Sequence, residues 1–283
     1  MLESLRTLVD LFPHAIIAGL VIAAVCALMG VFVILKRVVF IGIALSEVAA
    51  CGIAAAMVCH IHPFVGASLL TLFTVILLSY PFEMNRIPRD AILGGIFVLA
   101  SGLSILLVSK SGFGLQEVKA LLYGDLILTN QKDLTIVLAT LLPVLVYLIM
   151  FMRPTLYAFL DREAAKVLGI RVIVWELFYF FALGLAVSAA SKVAGALLVF
   201  CYLVVAPSVA LLLSRRLWLV MTAAVLVATV STMLGLYWSF SRDLPTNQTI
   251  AVTTCGGFVL VLLVGHLRRI VLRFWPSNKA GNT

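Results

Sequence analysis

Glu47 and Cys51 stand four residues apart in ALSEVAACGIAAA (44–56), a stretch otherwise built of apolar and small residues. Four residues along an α-helix bring a side chain back to the same face. A carboxylate and a thiol at that spacing offer one hard and one soft donor, one turn apart. Zn2+ accepts such a mixed set, whereas Mn2+ favours oxygen. Ser46 is adjacent and adds a hydroxyl oxygen. A second pair, His60 and His62 in HIHPF, can hold a divalent ion if the backbone is extended, and Pro63 favours that conformation in the residue before it. Each group also has a plainer reading. Glu47 is then a protonated or hydrogen-bonded packing residue, Cys51 an apolar filler, and the histidines interfacial polar groups.

The element that carries Glu47 decides how much weight it bears. Phe40 to Val58 contains no other charge and is about as long as a membrane-spanning helix. Glu47 sits about a third of the way in, roughly 10 Å from the nearer boundary at 1.5 Å per residue. A glutamate cannot reach bulk water from there along a lipid-facing wall. It must face the bundle interior or a hydrated cavity. The rest of the chain agrees with a membrane setting: of 283 residues, 64% are hydrophobic and 11% charged, against about 25% charged in soluble domains, and the mean hydropathy is +1.20. The chain reads as one membrane domain, 1–283, with no stretch left over for a soluble one. Its N-terminal segment lacks the pattern of a removable signal peptide. The five cysteines all lie in apolar runs without a C-x-x-C pair, so neither a disulfide framework nor a zinc knuckle is indicated.

About nine spans are expected, with eight possible, near 13–35, 38–59, 64–81, 91–109, 134–152, 172–190, 193–213, 217–238 and 249–267. The sixth and seventh are joined by a very short link around Ser191-Lys192. Only helices or closed barrels satisfy backbone groups in lipid, and no alternating barrel period is present. The fold class is therefore an all-α polytopic bundle. Small residues (Gly42, Ala44, Ser46, Ala49, Ala50, Gly52, and Gly94 and Gly95 later) are expected to let helices approach closely. With the N-terminus outside, the basic residues divide about fourteen to six in favour of the cytoplasmic loops, which places the C-terminus in the cytoplasm. The net charge of +8 thus reports orientation, and nucleic acid is not indicated as a partner.

The longest cytoplasmic connection holds DREAAKVLGIRV (161–172). Its apolar Ala164, Ala165, Val167, Leu168 and Ile170 alternate with Arg162, Glu163 and Lys166 in a short helical pattern, and Gly169 is placed to end the helix in a left-handed conformation. Such an element suits either docking into a groove on another protein or lying at the lipid surface. Pro207 interrupts a late span and frees a backbone carbonyl, a source of flexibility or of a passive kink. Glu117, Asp125 and Asp243 fall in outer segments, where they are candidates for gating or for contact with an extracytoplasmic protein. Lys192 can pair with an outer carboxylate or simply snorkel, the second being the plainer reading. No G-x-x-x-x-G-K-[ST], H-E-x-x-H or G-x-S-x-G occurs, so no enzyme activity is indicated.

Several of these segments resemble one family. Glu163-Ala164-Ala165-x-x-x-Gly169 is similar to the E-A-A-x-x-x-G loop by which ABC importer permeases meet their ATPase. VFIGIALSEVAACGIA, LLYGDLI (121–127), VAGALLVFCYLVVAPSVALLL and LGLYWSFSRDLPTNQTI resemble, in order, segments of the ABC-3 permeases for zinc, manganese or iron. The chain departs from that pattern in carrying Glu47 where His or Asp is usual, Cys51 where Pro is frequent, and Asn247 in place of the Gly after D-L-P-T. The resemblance implies a multi-pass permease of the bacterial inner membrane that moves a divalent metal ion as substrate. It also implies two copies of the chain (or one and a paralogue), cytoplasmic ABC ATPases, and an extracytoplasmic metal-binding protein. Glu47 and Cys51, mirrored across the two-fold axis of such a dimer, would give four ligands. A permease for a siderophore- or cobalamin-type chelate, an ATPase-independent transporter using Glu47 as a relay, and a membrane scaffold are the competing readings.

Overall fold

The computed structural model describes residues 11–79, 89–110, 124, 126–160 and 162–274. These residues form helices joined by short connections and include no strand. In chain order the helices are α1 (Pro13–Leu35), α2 (Val39–Val58), α3 (Pro63–Ser79), α4 (Arg89–Lys110), α5 (Gln131–Met150), α6 (Met152–Leu160), α7 (Arg162–Val167), α8 (Val172–Leu213), α9 (Leu217–Arg242) and α10 (Thr246–Phe274). A single 3-10 turn, Leu126–Leu128, precedes α5. Among the described residues, seven helices are long and apolar enough to cross a membrane, and α3 is a shorter apolar one.

Local chemistry explains where the helices stop and start. Pro13 and Pro63 stand at the beginnings of α1 and α3, where a missing N–H leaves no hydrogen bond unmade. Arg37, His60, Gly169 and Asp243 close α1, α2, α7 and α9 in the left-handed conformation, with φ of 60°, 54°, 75° and 50°. In each case the next residue's N–H reaches back to a carbonyl in the last helical turn: Val38 to Val33, Ile61 to Ala56, Ile170 to Ala165 and Leu244 to Ser239. Gly169 therefore ends its helix as the sequence predicts.

The 42 residues of α8 would make a rod of about 63 Å, roughly twice the hydrocarbon thickness. The helix is broken at Gly195, whose φ of 72° and ψ of 160° lie in a region nearly confined to glycine. Tyr179 Oη donates to the Met29 carbonyl at 2.6 Å, while the Leu203 carbonyl and the Pro207 ring lie against Gly30. Tyr179 and Leu203 thus meet adjacent residues of α1, and the chain must double back between them. We call the two arms α8a (172–194) and α8b (196–213). They are the sixth and seventh expected spans, with the turn at Gly195, past the expected Ser191-Lys192 link. Dividing α8 and counting α3 accounts for the difference between seven long helices and about nine spans.

The arms of α8 and α1 form the centre of the bundle, with α2, α3, α9 and α10 packed on α8. α1 is buried over 72% of its apolar window, whereas α4, α5 and α10 bury 22%, 22% and 17% of theirs. One end of the bundle holds Lys36 and the start of α8a, the other holds the Gly195 turn and the start of α10. We refer to these as the Lys36 end and the Asn247 end.

Glycines carry the closest crossings, though not all those expected. A Cβ on Gly52 would fall 2.5 Å from the Gly66 carbonyl, so α2 and α3 touch backbone to backbone. Gly94 and Gly95, by contrast, have nothing within 4 Å of where a Cβ would stand, and they lie on the open side of α4. They make no close approach to the other described residues. The tightest contact is at Gly30, where a Cβ would overlap the Leu203 carbonyl and come 2.7 Å from Pro207 Cγ. Leu203 is the residue whose helical partner Pro207 removes, so that unpaired carbonyl rests on the Cα–H surface of Gly30. Gly30→Ala is expected to destabilise the chain by about 1–3 kcal/mol through overpacking, read as a lower melting temperature in detergent. Gly102→Ala, where the space is open, should leave it unchanged or slightly higher.

Candidate functional site

Glu47, Cys51 and Ser46 share α2 but not one face. Glu47 is half-buried, and Ser101 on α4 stands opposite its carboxylate as a hydrogen-bonding group. Cys51, buried at 3% exposure, packs with Val48 and Ala100 in a small cluster between α2 and α4. The carboxylate and the thiol are electrostatic neighbours, as their spacing requires. Ser46 points elsewhere: it is fully buried and donates to the Gly42 carbonyl at 2.5 Å, and Gly42 itself faces Leu203 and Phe200 of α8b. A single residue step rotates a side chain by about 100° on a helix. That is enough to take Ser46 from the α4 side to the α8b side. His60 and His62 are exposed at the far end of α2, about 20 Å along the helix from Glu47. His60 is left-handed rather than extended, so the two histidines do not join the Glu47 pair. Among the described residues no three His, Cys, Asp or Glu side chains come together as a metal site.

A second cluster, which residue-by-residue reading misses, sits at the Asn247 end. Breaking α8 leaves the Ala194 carbonyl without its helical partner, and Asn247 Nδ2 donates to it at 3.0 Å. The same amide's Oδ1 accepts from the Leu126 N–H at 3.3 Å. Gly124 lies so close to the break that a Cβ there would be 2.5 Å from the Gly195 nitrogen. Three distant parts of the chain, Gly124 with Leu126, the break at 194–195 and the start of α10, thereby meet at one buried side chain (3% exposed). The sequence signal is the asparagine itself, a two-sided hydrogen-bonding group in an apolar setting. Nearby, Lys192 Nζ pairs with Asp133 Oδ1 at 2.6 Å, a carboxylate partner in place of the plainer snorkelling. Asp243 is exposed at the end of α9. Asp125, like Glu117, lies outside the described residues. Pro207 is buried against Gly30, as described above.

The third cluster is at the Lys36 end. Lys36 Nζ lies 2.9 Å from Glu176 Oε2, with the two side chains only 9% and 15% exposed. The ammonium also sits over the rings of Phe159 and Phe180, at 4.5 and 4.6 Å from their centroids. Phe159 belongs to α6 and stacks edge-on with Tyr179 at 4.8 Å. One cation thus fastens the end of α1, the start of α8a and the helix that leads into α7. In α7 and just beyond it the apolar residues divide. Ala165 is fully buried, whereas Val167 and Leu168 are 89% and 62% exposed. Glu163 and Gly169 also lie at the surface, with Ala164 half-buried.

The pattern of the ABC 3 transport family matches residues 9–265. The chain belongs to the ABC 3 transport family. It is 26% identical over 268 residues to the manganese transport system membrane protein MntC of Halalkalibacterium halodurans, covering 94% of this chain and 91% of that one. It is 29% identical over 274 residues to the chelated iron transport system membrane protein YfeD of Yersinia pestis, covering 95% and 91%. The fold matches PsaBC of Streptococcus pneumoniae, solved in complex with Fab, with a TM-score of 0.83 and 21% identity over 92% of this chain and 95% of that one. In this ABC 3 chain Gly124 and Leu126 of one family-like segment, Ala194 and Gly195 of another and Asn247 of a third converge. Their order along the sequence gives no hint of it.

Asn247→Ala would strand the Ala194 carbonyl and the Leu126 N–H in a buried site, at a cost of about 1–3 kcal/mol for each group left unpaired. Asn247→Asp keeps an acceptor for Leu126 but loses the donor to Ala194. Both variants should melt below the wild type in detergent.

Proposed function

We propose that this chain is the membrane-spanning subunit of an ATP-driven importer for divalent transition-metal ions. The observation that carries the proposal is the Glu47–Cys51 pair, a carboxylate and a thiol one turn apart within the bilayer in a chain matched to the ABC 3 family over 9–265. The family match favours this reading over an ATPase-independent transporter. One chain supplies too few ligands to trap an ion, which suits a cargo that must leave. A second copy, related by a two-fold axis, would double the set. A carboxylate and a thiol accommodate Zn2+ readily, while Mn2+ and Fe2+ would lean on the carboxylate and water.

In this proposal the N-terminus is outside and the Lys36 end is cytoplasmic, in the inner membrane of a bacterium. An extracytoplasmic metal-binding protein delivers the ion at the Asn247 end, where Asp243 is an exposed acidic group, and His60 and His62 lie on the approach. Separate ATPase subunits dock on α7. Glu163 and the exposed Val167 and Leu168 make the contact, and Gly169 lets the chain turn back toward α8a. Closure of the ATPase pair pulls on α7. The Lys36–Glu176–Phe159 fastening passes that displacement to α1 and α8a together, since neither can move without the shared cation. The inner side then opens as the outer side closes, and Pro207 in α8b removes one backbone restraint on that change.

Vesicles holding the chain with its ATPase should lose metal uptake on Glu47→Ala, by about tenfold or more if the carboxylate is a direct ligand, while the complex stays folded and assembled. Unchanged uptake would remove Glu47 from the path. Separately, Glu163→Ala combined with Gly169→Val should weaken co-purification of the ATPase without lowering the amount of folded permease. Undiminished capture would make 162–169 a lipid-surface element instead.

A further inference from the structure

A cavity of about 520 Å³ opens on the side of the bundle between α5, α6 and α9, floored by Leu28 of α1. Its walls are Leu148, Ile149, Met152, Trp218, Met221 and neighbours along α9. Thr222 is the one hydroxyl among them, and it donates to the Trp218 and Leu219 carbonyls, each at 3.1 Å. The groove therefore offers no free polar group to a ligand along its length. It belongs to none of the three clusters described above, and a polar solute or metal ion has nothing to bind there.

The chemistry changes at one mouth. Met152, at the rim, is followed by Arg153, and Trp218 is preceded by Arg215 and Arg216, all three arginines exposed. No aspartate or glutamate occurs in residues 134–160 or 177–242, so α6 and α9 carry none themselves; the nearest acids in the chain are Asp161 and Glu163, after α6. Trp218 itself is 67% exposed, with the amphipathic ring typical of the level where hydrocarbon meets headgroups. The site is thus apolar, with Trp218 in its wall and three exposed arginines close in sequence to the lining residues Met152 and Trp218.

We propose that this groove binds an anionic phospholipid, with an acyl chain against Leu148, Met152 and Met221 and the phosphate between Arg153 and the Arg215-Arg216 pair. Guanidinium forks match phosphate oxygens in a bidentate way that a zwitterionic headgroup's own cation weakens. The occupant is a lipid rather than a soluble anion because the arginines only border the site, and the apolar walls supply most of its surface. A lipid held there bridges α5–α6 to α9, which both pack on α1, with α5 and α9 also on α8. The proposal needs the bundle to lie in a bilayer and is independent of what the protein transports.

The test uses the intact chain in phosphatidylcholine vesicles containing brominated phosphatidylglycerol or, in a parallel set, brominated phosphatidylcholine. Four tryptophans are present, so the Trp218 signal is taken as the difference between wild type and Trp218→Phe. Brominated phosphatidylglycerol should quench Trp218 at lower mole fraction than brominated phosphatidylcholine. Each Arg→Gln change at 153, 215 or 216 should reduce that preference by about fivefold, the effect of one basic residue near a charged lipid surface. Arg→Lys changes keep the charge but lose the bidentate fork, so they should reduce the preference less than Arg→Gln does, and they serve as folding controls. Equal quenching by the two lipids in the wild type overturns the proposal. So does quenching by neither, which would mean that a second copy or another protein covers the groove.

Discussion

The bond from Asn247 Nδ2 to the Ala194 carbonyl is small, yet the arrangement of the bundle depends on it. In hydrocarbon a backbone carbonyl without a partner costs several kcal/mol, because no water is available to replace the lost bond. A 42-residue apolar helix must nevertheless break to fit a bilayer, and Gly195 supplies the backbone conformation for the break. Asn247 then takes up a group that the break exposes, and its other side holds the Leu126 N–H. That one site joins the start of α10, Leu126 and the turn into α8b.

Much of the fold is legible in the sequence because hydropathy over about 20 residues is a strong local signal. Helix ends at Gly169, and the shared face of Glu47 and Cys51, follow from rules that operate within one or two turns. What escapes is long-range. Lys36 counts in the sequence only as an orientation charge, but an ion pair with Glu176 and two aromatic rings draw it out of water. For Lys192 the sequence offers an outer carboxylate as one of two readings, but the partner, Asp133, is visible only in the structure. Ser46 groups with Glu47 by proximity along the chain, where the helical rotation of a single residue sets them on different sides. Gly94 and Gly95 read as helix-packing residues, but no described neighbour within the chain comes near them.

The two ends of the bundle are held in different ways. At the Asn247 end, beside the Lys192–Asp133 pair, the break in α8 is fastened by a neutral amide working through backbone groups, whose geometry is narrow. At the Lys36 end it is a cation shared by a carboxylate and two ring faces, each of which tolerates sliding of the ammonium by about an ångström. A neutral, directional joint suits a part that keeps its shape. A cation among several acceptors suits a part that shifts while staying attached. The path from α7 toward α1 and α8a runs through the second kind.

The hairpin at Gly195 also bears on how the chain is made. In the orientation proposed here, its tip must be carried across the hydrocarbon during insertion, and Lys192 goes with it, at about 2.5–3.5 kcal/mol for a lone charge at mid-membrane. Asp133 lies 59 residues earlier in the chain and leaves the ribosome first. It is therefore waiting on the far side when the lysine arrives. The ion pair is in that sense a landing point, and it makes the order of synthesis part of the information that shapes the bundle.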